Sequence, residues 1–185
     1  MGLSDKIIFI NKPTKFSEVI VPDLSYSRCE YYSDHYKNIF DTIINKCINN
    51  KTSTNQAKKI FLSRKNWGKG KKLEFGHDML ENYFKKNNFS VVYPEELTIK
   101  ELICITNNAD VVASISGSTA HNSLFFNNVK KFIIIEKTNF YNEIQIDINI
   151  IKNMDIDYID ANISLYPADV GLGPFVYAYT DNYDK

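Results

Sequence analysis

The sequence predicts an α/β fold: a doubly wound, mainly parallel sheet covered by helices on both faces. Two observations carry it. Between residues 58 and 160, short apolar runs alternate with amphipathic stretches of helical spacing. Runs such as Phe132-Ile133-Ile134-Ile135 are apolar throughout, as strands buried on both faces must be.

The elements follow in order. Residues 1–57 read as a lead-in segment. In it, Lys6 to Asn11 and Glu18 to Val21 resemble short strands, separated by Pro13 and closed by Pro22-Asp23. Tyr36, Ile39, Phe40, Ile43, Ile44, Cys47 and Ile48 recur at i, i+3, i+4, i+7 and i+8 spacing, which predicts a helix with one buried stripe. Residues 49 to 56 are polar and form a loop.

Residues 58–164 carry the Rossmann-like alternation. Ile60-Phe61-Leu62 is its first strand, followed by a Gly/Lys loop and a helix with Met79, Leu80, Tyr83 and Phe84 on one face. Phe89 to Tyr93 is the second strand, stopped by Pro94. Leu97 to Ala109 is a helix capped by Thr98, with Glu101 three residues on. Asp110 to Ile115 is the third strand, Gly117 to Asn127 a helix, Phe132 to Ile135 the fourth strand and Ile156 to Ile159 the fifth. Between the last two, Ile144, Ile146, Ile148 and Ile150 alternate like a strand, while Tyr141, Ile144, Ile148 and Ile151 form a helical stripe. Helix is favoured, because parallel strands need a crossover. Residues 165–185, with Pro167, Gly171, Gly173 and Pro174, read as an irregular tail packed by Phe175, Tyr177 and Tyr179.

Bulk properties narrow the function. A net charge of +0 provides no global field to draw the chain onto nucleic acid or an anionic membrane, so anion binding must come from local donors. No apolar stretch approaches the ~20 residues of a membrane span, and Asp5 and Lys6 interrupt any signal-peptide pattern. Cys29, Cys47 and Cys104 lack paired spacing and read as plain thiols of a reduced, cytoplasmic compartment.

Ligands of such sheets bind at the carboxyl ends of the strands. The best-placed turn is Ser116-Gly117-Ser118-Thr119, which leads from the third strand into a helix with His121 and Asn122 on its first turn. The first N–H groups of a helix lack partners and favour an anion. Gly117 would permit close backbone approach, and the Ser118 and Thr119 hydroxyls would donate to phosphate oxygens. A Ser116 or Ser118 that only caps the helix uses the same geometry, and both readings stay open. Arg64 ends the first strand, where its planar fork suits phosphate. The lysines after it, Lys71 among them, either extend that site or form a solvated turn; their loop is not a Walker A motif. Glu95 leaves the second strand at the same edge, placed to meet a base or ribose, or merely to favour the next helix N-terminus. Glu136 ends the fourth strand there. Asp155-Ile156-Asp157 precedes its strand and reads as surface charge. No His or Cys lies at metal-ligand spacing, and no Gly-x-Gly-x-x-Gly fingerprint marks a dinucleotide oxidoreductase.

Together and in this order, these residues resemble glycosyltransferase family 61, which includes capsular-polysaccharide biosynthesis enzymes. The resemblance runs from about Lys58 to Asp160, with a weaker echo in Lys12 to Asp41. It rests on Ile60-Phe61-Leu62-Ser63-Arg64, Phe89 to Glu95, Leu97 to Ile105, and above all Ser116-Gly117-Ser118-Thr119-Ala120-His121-Asn122-Ser123-Leu124-Phe125. It departs at Phe75-Gly76-His77-Asp78, where the family commonly shows Asn-Glu.

The resemblance implies the C-terminal, donor-binding half of a GT-B glycosyltransferase, with the acceptor-binding half largely missing and supplied by a partner chain or domain. It implies a donor site of Arg64, Lys71, Glu95, Gly117, Ser118, Thr119, His121 and Asn122. Arg64 would meet the diphosphate, Glu95 the base or ribose, and His121 is the candidate catalytic group. The expected function is cytoplasmic transfer of a sugar from a nucleotide-sugar to a glycan acceptor in surface polysaccharide biosynthesis, with no cofactor and no metal. The alternative is a truncated, noncatalytic module that binds nucleotide or docks onto a partner.

Overall fold

The computed structural model describes residues 6–48, 57–68, 74–138, 140–163 and 175–176. A short antiparallel hairpin, β1 (Tyr26–Ser27) and β2 (Tyr31–Tyr32), precedes helix α1 (Asp34–Ile48). There follow β3 (Lys59–Leu62), β4 (Glu74–Phe75), α2 (His77–Lys86), β5 (Ser90–Val92), a 3₁₀ turn (Pro94–Glu96) and α3 (Ile99–Asn108). The chain continues through β6 (Val111–Ile115), a 3₁₀ helix (Ala120–Phe125), β7 (Lys131–Glu136), α4 (Glu143–Lys152), β8 (Ile156–Asp160) and β9 (Phe175–Val176).

The central sheet has five strands in the order β5-β3-β6-β7-β8, all parallel. From β3 the chain steps outward to β5 and then returns past β3 to β6. Right-handed crossovers in opposite directions put α2 and α3 on opposite faces. Ile60, Leu62, Val112, Phe132 and Ile134 pack against Leu102, Ala120 and Phe126 on one face. Phe61, Ala113, Ile115 and Ile135 pack against Leu80 and Phe84 on the other. Adjacent residues of one strand thus enter different cores, which is why the strands read as unbroken apolar runs. On the first face α1 lies over α3 and the 3₁₀ helix, through Ile44 and an edge-to-face pair of Phe40 and Phe125 with ring centroids 5.3 Å apart.

Several sequence expectations need correction. Lys6 to Asn11 and Glu18 to Val21 are not strands; they run exposed, with Phe9 89% accessible. Alternating apolar residues make a strand only when a ladder partner satisfies their backbone, and none reaches them among the described residues. The expected helix from Gly117 to Asn127 shrinks to six residues of 3₁₀ helix. There Ala120 N–H bonds Gly117 O at 2.9 Å, and the Asn107 side chain ends the helix by holding Phe125 O at 2.7 Å and Asn127 N–H at 2.7 Å. In the expected irregular tail, Phe175–Val176 forms a strand parallel to Glu74–Phe75. Tyr177 and Tyr179 lie outside the described residues. Met79, expected on the packed face of its helix, is exposed, while Glu81 is buried there.

The ambiguous isoleucine segment is helix α4, capped by Asn142 through its bond from Gln145 N–H at 3.2 Å. Helix α3 carries the expected capping box: Thr98 Oγ1 accepts from Glu101 N–H at 3.2 Å, and Glu101 Oε2 accepts from Thr98 N–H at 2.8 Å. Thr98→Ala should therefore lower unfolding free energy by about 1 kcal/mol, read from urea denaturation, and Thr98→Ser should restore most of it.

Candidate functional site

In the order β5-β3-β6 the reversal of chain direction leaves a crevice beyond the carboxyl ends of β3 and β6. A cleft of about 290 Å³ opens there, lined by Arg64, Trp67, Glu95, Ser118, Thr119 and Asn122 over Pro94, Leu97, Ile99 and Leu102. Five of the residues singled out in the sequence thus meet in one cavity. Gly117 adjoins it, His121 is not among its lining residues, and Lys71 lies outside the described residues.

Arg64 is 5% exposed, one residue beyond a strand end that Ser63 extends by bonding Val92 O at 2.9 Å. Its guanidinium stacks on Trp67 with 4.6 Å to the ring centroid, and its Nη2 lies 3.3 Å from Glu74 Oε1. Glu74 is the pivot. Its carboxylate also meets Lys137 Nζ at 3.4 Å and His77 Nε2 at 3.4 Å. Burial pushes its pKa up, but His77, Arg64 and Lys137 outweigh that and hold it at about 2, against an ordinary 4.5. Burial lowers the pKa of Lys137, with Glu74 pulling it back. The two cations share this carboxylate, so the pair brings more positive than negative charge to the rim of the cleft.

Gly117 serves Arg64 in addition to any ligand. Its φ is +115°, and a Cβ there would sit 3.0 Å from Arg64 Nη1 and 3.6 Å from Lys137 Nζ. Neither serine of the turn caps the helix. The N-cap is Thr119, which makes no side-chain capping bond, and Ser118 Oγ accepts from Arg64 Nη1 at 3.5 Å. Among the described residues, Ala120 N–H is the first in the turn to bond backward, which leaves the amides of Gly117, Ser118 and Thr119 without a backbone partner. A six-residue 3₁₀ helix has little macrodipole, so the donors this turn offers an anion are its amides and Arg64 rather than a helix end.

His121 sits behind the turn. Burial lowers its pKa, with a partial counter-pull from Asn142, and its Nε2 is buried without a hydrogen bond among the described residues. Asn122 bonds Thr119 O at 3.0 Å and steadies the turn. Glu95 is exposed at the mouth, and its neighbour Glu96 accepts from Asn66 at 2.6 Å, tying the β3 and β5 loops together. Sequence reading missed Trp67, Glu74 and Lys137. For Glu74 the available signal was a carboxylate set between Leu73 and Phe75, an apolar context that makes a charge seek a buried partner.

Removing Glu74 leaves two cations in a buried site, so Glu74→Ala should cost about 3–5 kcal/mol of stability by chemical denaturation. A depressed carboxylate stabilises fully above its unfolded pKa, and this is lost as pH falls through the folded value. Wild-type melting temperature should therefore drop as pH falls from 4.5 toward 2, and Glu74→Gln should flatten that limb. Gly117→Ala should cost about 1–3 kcal/mol through its positive φ, and it should displace Arg64, readable as lost protection of Trp67 fluorescence from iodide quenching.

A comparison with curated proteins found no match. The family model for Glycosyltransferase 61 matches residues 5–133, which takes in the lead-in segment, the switch-point turn and most of the central sheet. With that match over more than half of its length, the chain belongs to the glycosyltransferase 61 family.

Proposed function

We propose that the cleft between β3 and β6 holds the diphosphate of a nucleotide-sugar, from which a sugar is transferred to a glycan acceptor. Family membership supports a glycosyltransferase role with nucleotide-sugar and acceptor substrates. One observation carries the placement. A buried arginine fork and the residues Ser118 and Thr119 line one cavity at the switch point, and the adjoining turn amides have no backbone partner among the described residues.

In this reading Arg64 and the Gly117–Thr119 amides take up the negative charge that grows on the diphosphate as its bond to the anomeric carbon breaks. Lys137 adds field from behind Gly117. Trp67 and the apolar floor of Leu97, Ile99 and Leu102 suit a base, and Glu95 at the mouth suits ribose hydroxyls. The acceptor oxygen bonds to the anomeric carbon as its proton passes to a base. His121, whose pKa burial lowers, is our candidate for that base. The Arg64 and Lys137 charges make a metal unnecessary in this scheme. That the chain is the donor half of a GT-B pair, completed by another domain or chain, and that it builds surface or capsular glycan, rests on the family resemblance; a cytoplasmic setting rests on its three plain thiols.

Thermal shift with UDP, GDP and CMP tests the site. At least one nucleotide should raise the melting temperature of the wild type; a flat response to all three overturns the proposal. Arg64→Ala would strand Glu74, so Arg64→Lys is the cleaner variant: it keeps the charge and loses the fork. It should weaken nucleotide binding by about tenfold or more. Binding with no hydrolysis or transfer from the sugar-nucleotides would favour the noncatalytic module.

A further inference from the structure

The strongest unused group in the molecule is Glu136. It ends β7 opposite Asp160 of β8, in the register that pairs Ile134 with Tyr158. It is 3% exposed, and neither carboxylate oxygen accepts a hydrogen bond among the described residues. Burial raises its pKa, and the Ser116 hydroxyl beside it offsets only part of that. A carboxyl buried with so little pairing costs stability, and Ser116 and Lys137 relieve only part of that cost. It faces a small cavity of about 130 Å³, formed with Thr138, Phe140, Tyr141, Tyr158 and Asp160.

The chemistry of the lining narrows the ligand. Its charged groups are both carboxyls, so phosphate and other anions are repelled. Three aromatic rings stand at the wall, two of them open to solvent: Phe140 and Tyr141 are each 61% exposed. Tyr158 is held from behind by Asn149, and it packs edge-on to Tyr141 with ring centroids 5.0 Å apart. Rings that offer electron-rich faces, beside carboxyl and hydroxyl acceptors, match a molecule with apolar C–H faces and donating hydroxyls. Drug-sized ligands occupy about 300–1,000 Å³, so this cavity takes a single ring.

Position agrees with chemistry. The turn that lines the cleft with Ser118, Thr119 and Asn122 backs onto this cavity through Ser116, beside Glu136, and through His121, beside Asn142. Asn142 directly follows Tyr141. We propose that the β7–β8 cavity is a saccharide subsite, in which Tyr141 and Phe140 lie against the C–H face of one pyranose ring and Glu136 accepts a hydrogen bond from a ring hydroxyl. The inference builds on the glycosyltransferase reading, since it supplies that reaction with a sugar-binding surface apart from the nucleotide cleft.

Saturation-transfer difference NMR on the whole chain tests it. The probes are methyl glycosides of glucose, galactose, mannose and N-acetylglucosamine, with tetramethylammonium as a cation control. At least one glycoside should receive saturation at its ring C–H protons. Tyr141→Ala, at an exposed position, and Glu136→Gln, at constant size, should each weaken that binding by about fivefold or more. Both variants should keep any nucleotide-induced melting shift of the wild type. The proposal is overturned if no glycoside is saturated, if either variant leaves saturation unchanged, or if tetramethylammonium binds while the glycosides stay silent. Nucleotide binding with silent glycosides sinks this subsite alone; glycoside binding without any nucleotide shift sinks the donor cleft alone.

Discussion

The ion cluster around Glu74 is the constraint on which the site depends. Taking a carboxylate and two cations out of water costs several kcal/mol per ion unless each is paired with good geometry. Here the partners come from separate parts of the chain. Arg64 follows β3, Glu74 opens β4, His77 begins α2 and Lys137 follows β7. None of these groups can be buried alone, so the loops that carry them are ordered as a unit. The strand pairing of β4 with β9 extends the unit, because Lys137 Nζ also lies 4.3 Å from the Phe175 ring centroid. Gly117 belongs to it by what it lacks: a side chain there would occupy the space of the Arg64 guanidinium. Orientation of the arginine fork is thereby set before any ligand arrives, which lowers the cost of ordering it on binding.

Sheet topology supplies the place, and the cluster supplies the charge. All five central strands point their carboxyl ends the same way, but only between β3 and β6 do the connections diverge to opposite faces. The gap left there is where a ligand can reach the strand ends. The positive groups at that gap differ from the familiar helix-end arrangement. Asn107 clamps the end of the 3₁₀ helix and keeps it short, so local amides and a fixed fork replace an aligned run of peptide dipoles.

Two cavities of opposite character therefore flank one turn. The β3–β6 cleft presents cations, amides and an indole, while the β7–β8 cavity presents carboxyls and phenyl or phenol rings. A reaction that separates a diphosphate from a sugar has one strongly anionic product and one neutral, hydroxyl-rich one. Neighbouring surfaces with matching chemistries are what such a substrate pair would require, and family membership supports a glycosyltransferase role.

Much of the architecture was legible before any coordinates. The three inner strands, β3, β6 and β7, were readable because they are buried on both faces and so carry few polar residues. The α3 capping box was readable because its bonds span three residues, and so was the pairing of Arg64 with the Ser116–Asn122 turn in kind, since both follow strand ends. Periodicity overreached at Lys6–Asn11 and Glu18–Val21, where alternation had no ladder to join, and at Gly117–Asn127, where a side chain from α3 decided how far the helix could run. The meeting of Glu74 with Lys137, and the lack of a hydrogen bond to Glu136 among the described residues, were beyond reach for a related reason. Lys137 and Glu74 are 63 positions apart, and nothing local says which distant charge a carboxylate will meet. By itself the sequence determined those features whose energies are local or periodic: strands, helices, caps and strand-end turns. The tertiary structure alone decided strand order, which charges share a cluster and which carboxyl is buried with little pairing, because those depend on contacts between residues that the chain holds far apart.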